Sequence, residues 1–249
     1  MSGHSKWATI KRKKGAADAK RGQLFSKLSR AIIVAAKEGG PDPESNAALA
    51  NAIQKARDNS MPKDNIERAI QRGAGGTDGD AYEAFTYEGY APGGVAVICT
   101  ILTDNRNRTA SDLRHIFTKN GGSLGTPGSV AWQFDRKGVI YLDRSGVDED
   151  ELMEVALAGG AEDIVEDGSQ WRITTDPGDF MAVRGALEEA GIGYASAELT
   201  MLPKSTVEPS EREARQVLRL IDQLEENDDV QDVYANFDIP EQVLEAVAG

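Results

Sequence analysis

Residues 139–197 read VIYLDRSGVDEDELMEVALAGGAEDIVEDGSQWRITTDPGDFMAVRGALEEAGIGYASA, and their hydrophobic spacing switches repeatedly between periods of two and 3.6. The spacing predicts a strand over Val139–Leu142 and a helix over Glu151–Ala158. Two strands follow at Asp163–Glu166 and Gln170–Thr174, then a helix over Asp179–Ala190 and a strand over Tyr194–Ala197. That order is βαββαβ, the ferredoxin-like plan, completed within about sixty residues.

On the N-terminal side lie strand-like runs at Phe85–Tyr90 and Val95–Leu102. A helix over Arg106–Asn120 stops at Gly121, and a strand is expected at Ser129–Phe134. On the C-terminal side come a strand around Glu198–Leu202, a helix from Pro209 to Glu226 with Ser210 and Glu213 as a capping box, and a strand over Gln231–Phe237. A lone C-terminal αβ piece forms no sheet by itself. It is expected to return to the earlier strands, which makes 82–134 plus 198–249 a discontinuous α+β domain and 135–197 an insertion in it.

Before the strands, three short helices are expected. Leu24, Leu28, Ala31, Ile32 and Ala35 share one face of a helix that starts after Gly22 and ends at Gly39 and Gly40, while Lys20, Lys27, Arg30 and Lys37 share another. Leu49, Ala52, Ile53 and Ala56 mark a second helix. A third opens near Pro62 and carries Ile66, Ala69 and Ile70. The fold class expected is therefore α+β: a three-helix domain (1–72, with an N-terminal arm), a glycine-rich hinge (73–81), and two ferredoxin-like domains, one inserted into the other. The hinge sequence GAGGTDGD fails as a phosphate-cradling loop, since it follows a helix and precedes a strand.

The net charge of −13 conceals a strong division: residues 1–72 carry a net +8 and the remainder a net −21. Within residues 1–30, nine basic side chains face one acid, Asp18. The apolar runs IIVAA and VAVICTIL are far shorter than the ~18 residues of a membrane span. No apolar segment follows the N-terminal cations, so a cytoplasmic protein without membrane contact is expected. The single cysteine, Cys99, sits among Val95, Val97, Ile98 and Ile101 and reads as core.

Nine cations within twenty-five positions make the arm the leading candidate for contact with nucleic-acid phosphate: Lys6, Lys11, Arg12, Lys13, Lys14, Lys20, Arg21, Lys27 and Arg30. Trp7 among them has two readings, stacking on a base or pinning the arm to the helices. A second candidate anion contact is TDNRNRT at 103–109, where Asn105, Arg106, Asn107 and Arg108 meet a helix N-terminus; its alternative is a cap with arginines paired to nearby acids. The two histidines are far apart, and HExxH, GxSxG, Walker and GxGxxG patterns are absent. The acidic runs at 148–151 and 225–229 read as solvated loops and helix starts, leaving a metal-dependent Asp/Glu hydrolase as a remote alternative. No catalytic residue, metal or cofactor is expected.

Seven stretches resemble the YebC/PmpR family, which includes the mitochondrial translational activator of cytochrome oxidase subunit I. They are GHSKWATIK (3–11), DAKRG (18–22), MPKDNIERAI (61–70), YEGYAPGGVA (87–96), LTDNRNRT (102–109), NGGSLGTPGSVAW (120–132) and DDVQDVY (228–234). The resemblance runs end to end and implies a helical N-terminal domain followed by two α+β domains, with no catalytic residues. It also implies a regulator of gene expression, either a DNA-binding transcriptional regulator or a translation factor bound to the ribosome and its RNA. Thr9, where many members have Asn, and Gly15, in a stretch usually richer in Ala, depart from the pattern without removing a charge.

Overall fold

The computed structural model describes residues 18–75, 82–240 and 242–244. The chain opens with α1 (Asp18–Gly39), α2 (Ala47–Asp58) and α3 (Lys63–Ala74). Their apolar stripes close on one another through Leu28, Ile32, Leu49, Ile53 and Ile66. Asn46 fixes the first turn of this bundle. Its Oδ1 accepts from Leu49 N at 3.0 Å to cap α2, and its Nδ2 donates to the carbonyls of Ala35 and Gly40 at 2.8 and 2.9 Å. Gly73, expected in the hinge, lies inside α3, where a Cβ would stand 2.5 Å from the Ile33 carbonyl oxygen. The bare glycine lets α3 approach α1 to backbone contact. Ala74 ends α3 and Gly75 caps it, and the remainder of the expected hinge, 76–81, lies outside the described residues.

β1 (Glu83–Tyr90) and β2 (Ala96–Thr103) form a hairpin, α4 (Arg106–Lys119) follows, and the short β3 (Ser123–Leu124) joins the far side of β1. Near the C-terminus α7 (Glu211–Glu225) leads into β8 (Val230–Ala235), which pairs antiparallel with β2. The sheet order is therefore β3-β1-β2-β8. The tail does return to the first sheet, as counting elements requires. Alternation along β2 sends Val97, Cys99 and Ile101 into the core shared with Leu113 and Phe117 of α4 and Val217, Leu218, Ile221 and Leu224 of α7. The Ser210–Glu213 capping box starts α7 as the sequence predicts.

Between these parts run β4 (Phe134–Asp143), α5 (Glu149–Ala158), β5 (Ala161–Asp167), β6 (Gln170–Thr175), α6 (Phe180–Glu189) and β7 (Ser196–Pro203). They make a second antiparallel sheet of order β5-β6-β4-β7, the βαββαβ plan expected, with Leu152, Ala156, Val183 and Leu187 of its helices packed on Ile140, Leu142 and Ile173. Two details differ from expectation. The predicted strands 194–197 and 198–202 are one strand, because β4 is long enough to pair with it without a break from Ser196 to Pro203. The residues 198–202 thus belong to the second sheet.

Of Ser129–Phe134, expected as a strand, residues 129–133 are a loop with a helical turn at Ala131–Gln133, and only Phe134 is in a strand, as the first residue of β4. The loop's backbone N–H groups are taken by the buried Glu88 carboxylate, which accepts from Gly128, Val130 and Ala131 at 2.6, 2.7 and 2.8 Å. Burial pushes the Glu88 carboxyl up, but those three donors outweigh it and hold it below the usual range. The two sheets meet where Ala96 and Ile98 pack with Val130, Phe134 and Met201.

Two glycines test the packing in opposite directions. Gly73→Ala drives a methyl into α1 and should lower the unfolding free energy by about 1–3 kcal/mol. Gly185→Ala, in α6 with open space around the new methyl, should raise it by about 0.5–1 kcal/mol. Urea unfolding followed by circular dichroism measures both.

Candidate nucleic-acid interface

Lys6, Trp7, Lys11, Arg12, Lys13 and Lys14 lie outside the described residues, and Lys20 is placed in α1 with its side chain undescribed. The remaining arm candidates separate into two kinds. Arg21 is exposed, as is Lys37 in the last turn of the same helix. Lys27 and Arg30 are not free to solvent. Together with Gln23 they form a row at i, i+4 and i+7, and that row faces the turn between α7 and β8.

The contacts of the row are polar and close. Gln23 Nε2 donates to Glu226 O at 2.6 Å and to Asp228 Oδ1 at 2.9 Å. Lys27 Nζ donates to Glu225 O at 2.5 Å, and Arg30 Nη1 donates to Asp228 O at 2.6 Å while its guanidinium lies 3.8 Å from Asp229. The Arg30 guanidinium also covers the Tyr82 ring at 5.0 Å. From α2, Lys55 pairs with Asp232 of β8. Lys27 is only 9% exposed, and burial lowers its ammonium to about 8 against the attraction of Glu225, Asp228 and Asp232.

Asp229 is the centre of this arrangement. It is 6% exposed, and its carboxylate accepts from Thr109 Oγ1 at 2.7 Å and from Arg108 Nη2 at 2.9 and 3.1 Å. Burial raises its pKa, but the Thr109, Arg108 and Thr103 donors outweigh burial and hold it below the usual carboxylate range. The second sequence candidate is therefore brought to the same place as the first. Within it Asn105 caps α4, its Oδ1 accepting from Arg108 N at 3.1 Å, and Arg108 bridges Asp104 and Asp229. Arg106 lies over the Phe85 ring at 5.0 Å, and Asn107 is exposed. The cap-and-pair reading thus describes Asn105 and Arg108.

A further tie reaches the inserted domain. Arg184 of α6, 5% exposed, places its fork on Asp58 at the end of α2 at 2.7 and 2.8 Å, and its Nε donates to Glu188 at 3.1 Å. Its guanidinium also lies 5.1 Å over the Tyr194 ring.

The run 225–229, read from sequence as solvated, is the receptor for the cationic row. The signal available was the opposite charge of the two parts of the chain, but composition does not say which acids meet which bases. Also missed was Trp132, 67% exposed on the loop fixed by Glu88. Its Nε1 donates to Ser129 O at 3.1 Å, the carbonyl that Tyr90 Oη also engages at 3.0 Å. The Gly-Thr-Pro-Gly run at 125–128 was the sign that this stretch is not a strand. Among the described residues, no group of three or more His, Cys, Asp or Glu stands where it could hold a metal ion, and no helix is long and apolar enough to cross a membrane.

Two titrations follow. Asp229 and Asp232 both have lowered folded pKa values, so their contribution to stability is present above pH ~4 and lost as pH falls further. Asp229→Asn should cost about 2–4 kcal/mol at neutral pH and flatten this acid limb. Lys27 gives a slope of the same sign in the alkaline range. The folded state releases its proton near 8 and the unfolded state near 10.5, so stability rises with pH between these values. Lys27→Met should remove that alkaline rise; urea midpoints from pH 3 to 10.5 check both.

Comparison with known proteins accounts for the whole length. Residues 5–76 match the model of the TACO1/YebC protein N-terminal domain, and residues 82–237 match that of the TACO1/YebC second and third domain. A probable transcriptional regulatory protein of Rubrobacter xylanophilus is 66% identical over 250 residues, covering 100% of both chains. One of Halothermothrix orenii is 55% identical over 99% of each. The crystal structure of a conserved hypothetical protein from Aquifex aeolicus superposes with a TM-score of 0.78 at 50% identity, covering 90% of this chain and 92% of that one. The ordered motifs, the two antiparallel sheets and these likenesses agree, and the chain belongs to the TACO1/YebC family.

Proposed function

We propose that this protein is a cytosolic, non-enzymatic regulator of gene expression that binds duplex DNA through the cations of its N-terminal thirty residues. The observation that carries the reading is charge segregation: nine bases against one acid in residues 1–30, and a net −21 over residues 73–249. A polyanion is attracted to one end of such a molecule and repelled by the other. The relatives' names as probable transcriptional regulatory proteins support a role in transcription. With the helical domain docked, the contact set is Lys6, Lys11, Arg12, Lys13, Lys14, Lys20 and Arg21, with Trp7 beside them; Lys27 and Arg30 are held by the turn 225–229. Arg106 and Asn107, exposed at the start of α4, supply a secondary contact.

Binding carried by about five phosphate contacts gives a plot of log affinity against log salt with a slope of roughly −4 to −5. Lys11→Glu/Arg12→Glu/Lys13→Glu/Lys14→Glu should abolish retention of a labelled duplex while leaving the circular dichroism spectrum unchanged. Unchanged binding would remove the arm as the contact surface. In a competition at about 150 mM salt, where nonspecific duplex contacts weaken, cosedimentation with ribosomes and no retained DNA would replace transcription with translation.

A further inference from the structure

We propose that the acidic turn 225–232 is an intramolecular competitor of DNA for the cationic face of the helical domain, so that the docked arrangement is an autoinhibited state and duplex DNA releases it. The proposal rests on the nucleic-acid reading above and adds a regulatory contact to it.

Three observations carry it. First, the turn presents what a phosphate backbone presents: the carbonyl oxygens of Glu225, Glu226 and Asp228 and the carboxylates of Asp228, Asp229 and Asp232, all directed at Gln23, Lys27, Arg30 and Lys55. Lys27 and Arg30 continue the cationic series that starts in the arm, so the turn covers the part of that series nearest the body.

Second, Gln23, Lys27, Arg30 and Lys55 meet the turn through hydrogen bonds and ion pairs. The apolar cluster of the three helices and that of the first sheet are separate clusters. What holds the helical domain on this sheet is therefore the kind of interaction that phosphate can replace in kind.

Third, the groups left behind are provided for. When α1 departs, Asp229 keeps Arg108 and Thr109, and Asp232 keeps the Thr100 hydroxyl. Arg184, on losing Asp58, keeps Glu188 on its own helix and the Tyr194 ring. Release leaves Asp229 its counter-charge Arg108 and Arg184 its counter-charge Glu188, which lowers the usual large penalty for breaking an ion pair. Lys27 leaves a site where burial disfavours its charge.

The test measures duplex DNA affinity and salt slope for the full chain and three variants. Asp228→Asn/Asp232→Asn should bind duplex DNA about 3–10-fold more tightly than wild type at about 100 mM salt. Glu149→Gln/Glu151→Gln, which removes two exposed acids at the start of α5, controls for lower net charge and should change affinity less than twofold. Lys27→Gln/Arg30→Gln should weaken binding and reduce the magnitude of the salt slope by about 1.8, near 0.9 for each lost contact. Circular dichroism and urea midpoints establish that each variant folds.

Equal affinities for wild type and Asp228→Asn/Asp232→Asn would overturn the competition while leaving DNA binding intact, as would an equal gain in the control. Binding by Asp228→Asn/Asp232→Asn alone would mark complete inhibition in the wild type. Failure of every form to bind DNA would remove both the competition and the functional reading beneath it.

Discussion

A nearly dry carboxylate, Asp229, holds this molecule's parts in register. Its own domain supplies the donors that keep it ionised, Thr109 and Arg108 from the start of α4, and the helical domain supplies Arg30 at a longer distance. Burying a charge is costly unless geometry and hydrogen bonds repay it. Here the backbone around it is set accordingly: Asn105 caps α4, so that Arg108 and Thr109 arrive in the first turn of the helix on the side facing the turn before β8.

The consequence is a polar joint in an otherwise conventionally packed protein. Each of the three bodies closes its own apolar core. The two sheets share a small apolar contact around Ile98, Phe134 and Met201. The helical domain is tied to both by Gln23, Lys27, Arg30 and Lys55 on one side and by Asp58 on Arg184 on the other. A joint made of charges responds to ionic surroundings and to other polyanions, whereas an apolar joint of the same extent does not.

The parts of the fold legible in the sequence were those set by periodicity and chain connectivity. The βαββαβ order of the inserted domain was written in alternating periods, and the return of α7 and β8 to the first sheet followed from the inability of a lone αβ piece to form one. What was not legible depended on partners distant in sequence. Ser129–Phe134 has strand-like residues, yet Glu88, some forty positions earlier, takes its backbone donors. Residues 198–202 join the second sheet because β4 is long enough to pair with them. Lys27 and Arg30 are expected from residue type to contact nucleic-acid phosphate, with Arg108 as a secondary candidate, and the anions they meet in this structure are carboxylates and carbonyls of the same chain. Charge counting finds such cations but cannot say whether their anion is internal or external.

Charge, not apolar burial, ties the helical domain to the first sheet. Pulsed spin-label distances between Glu44→Cys on the helical domain and Arg219→Cys on α7 test this. Native Cys99 stays unlabelled, being fully buried with its thiol pushed up to about 12. Raising salt from about 0.1 M to 1 M shortens the screening length from about 10 Å to 3 Å. The distance distribution is expected to be narrow at low salt and to broaden toward longer distances at high salt. The same narrow distribution at both would contradict it.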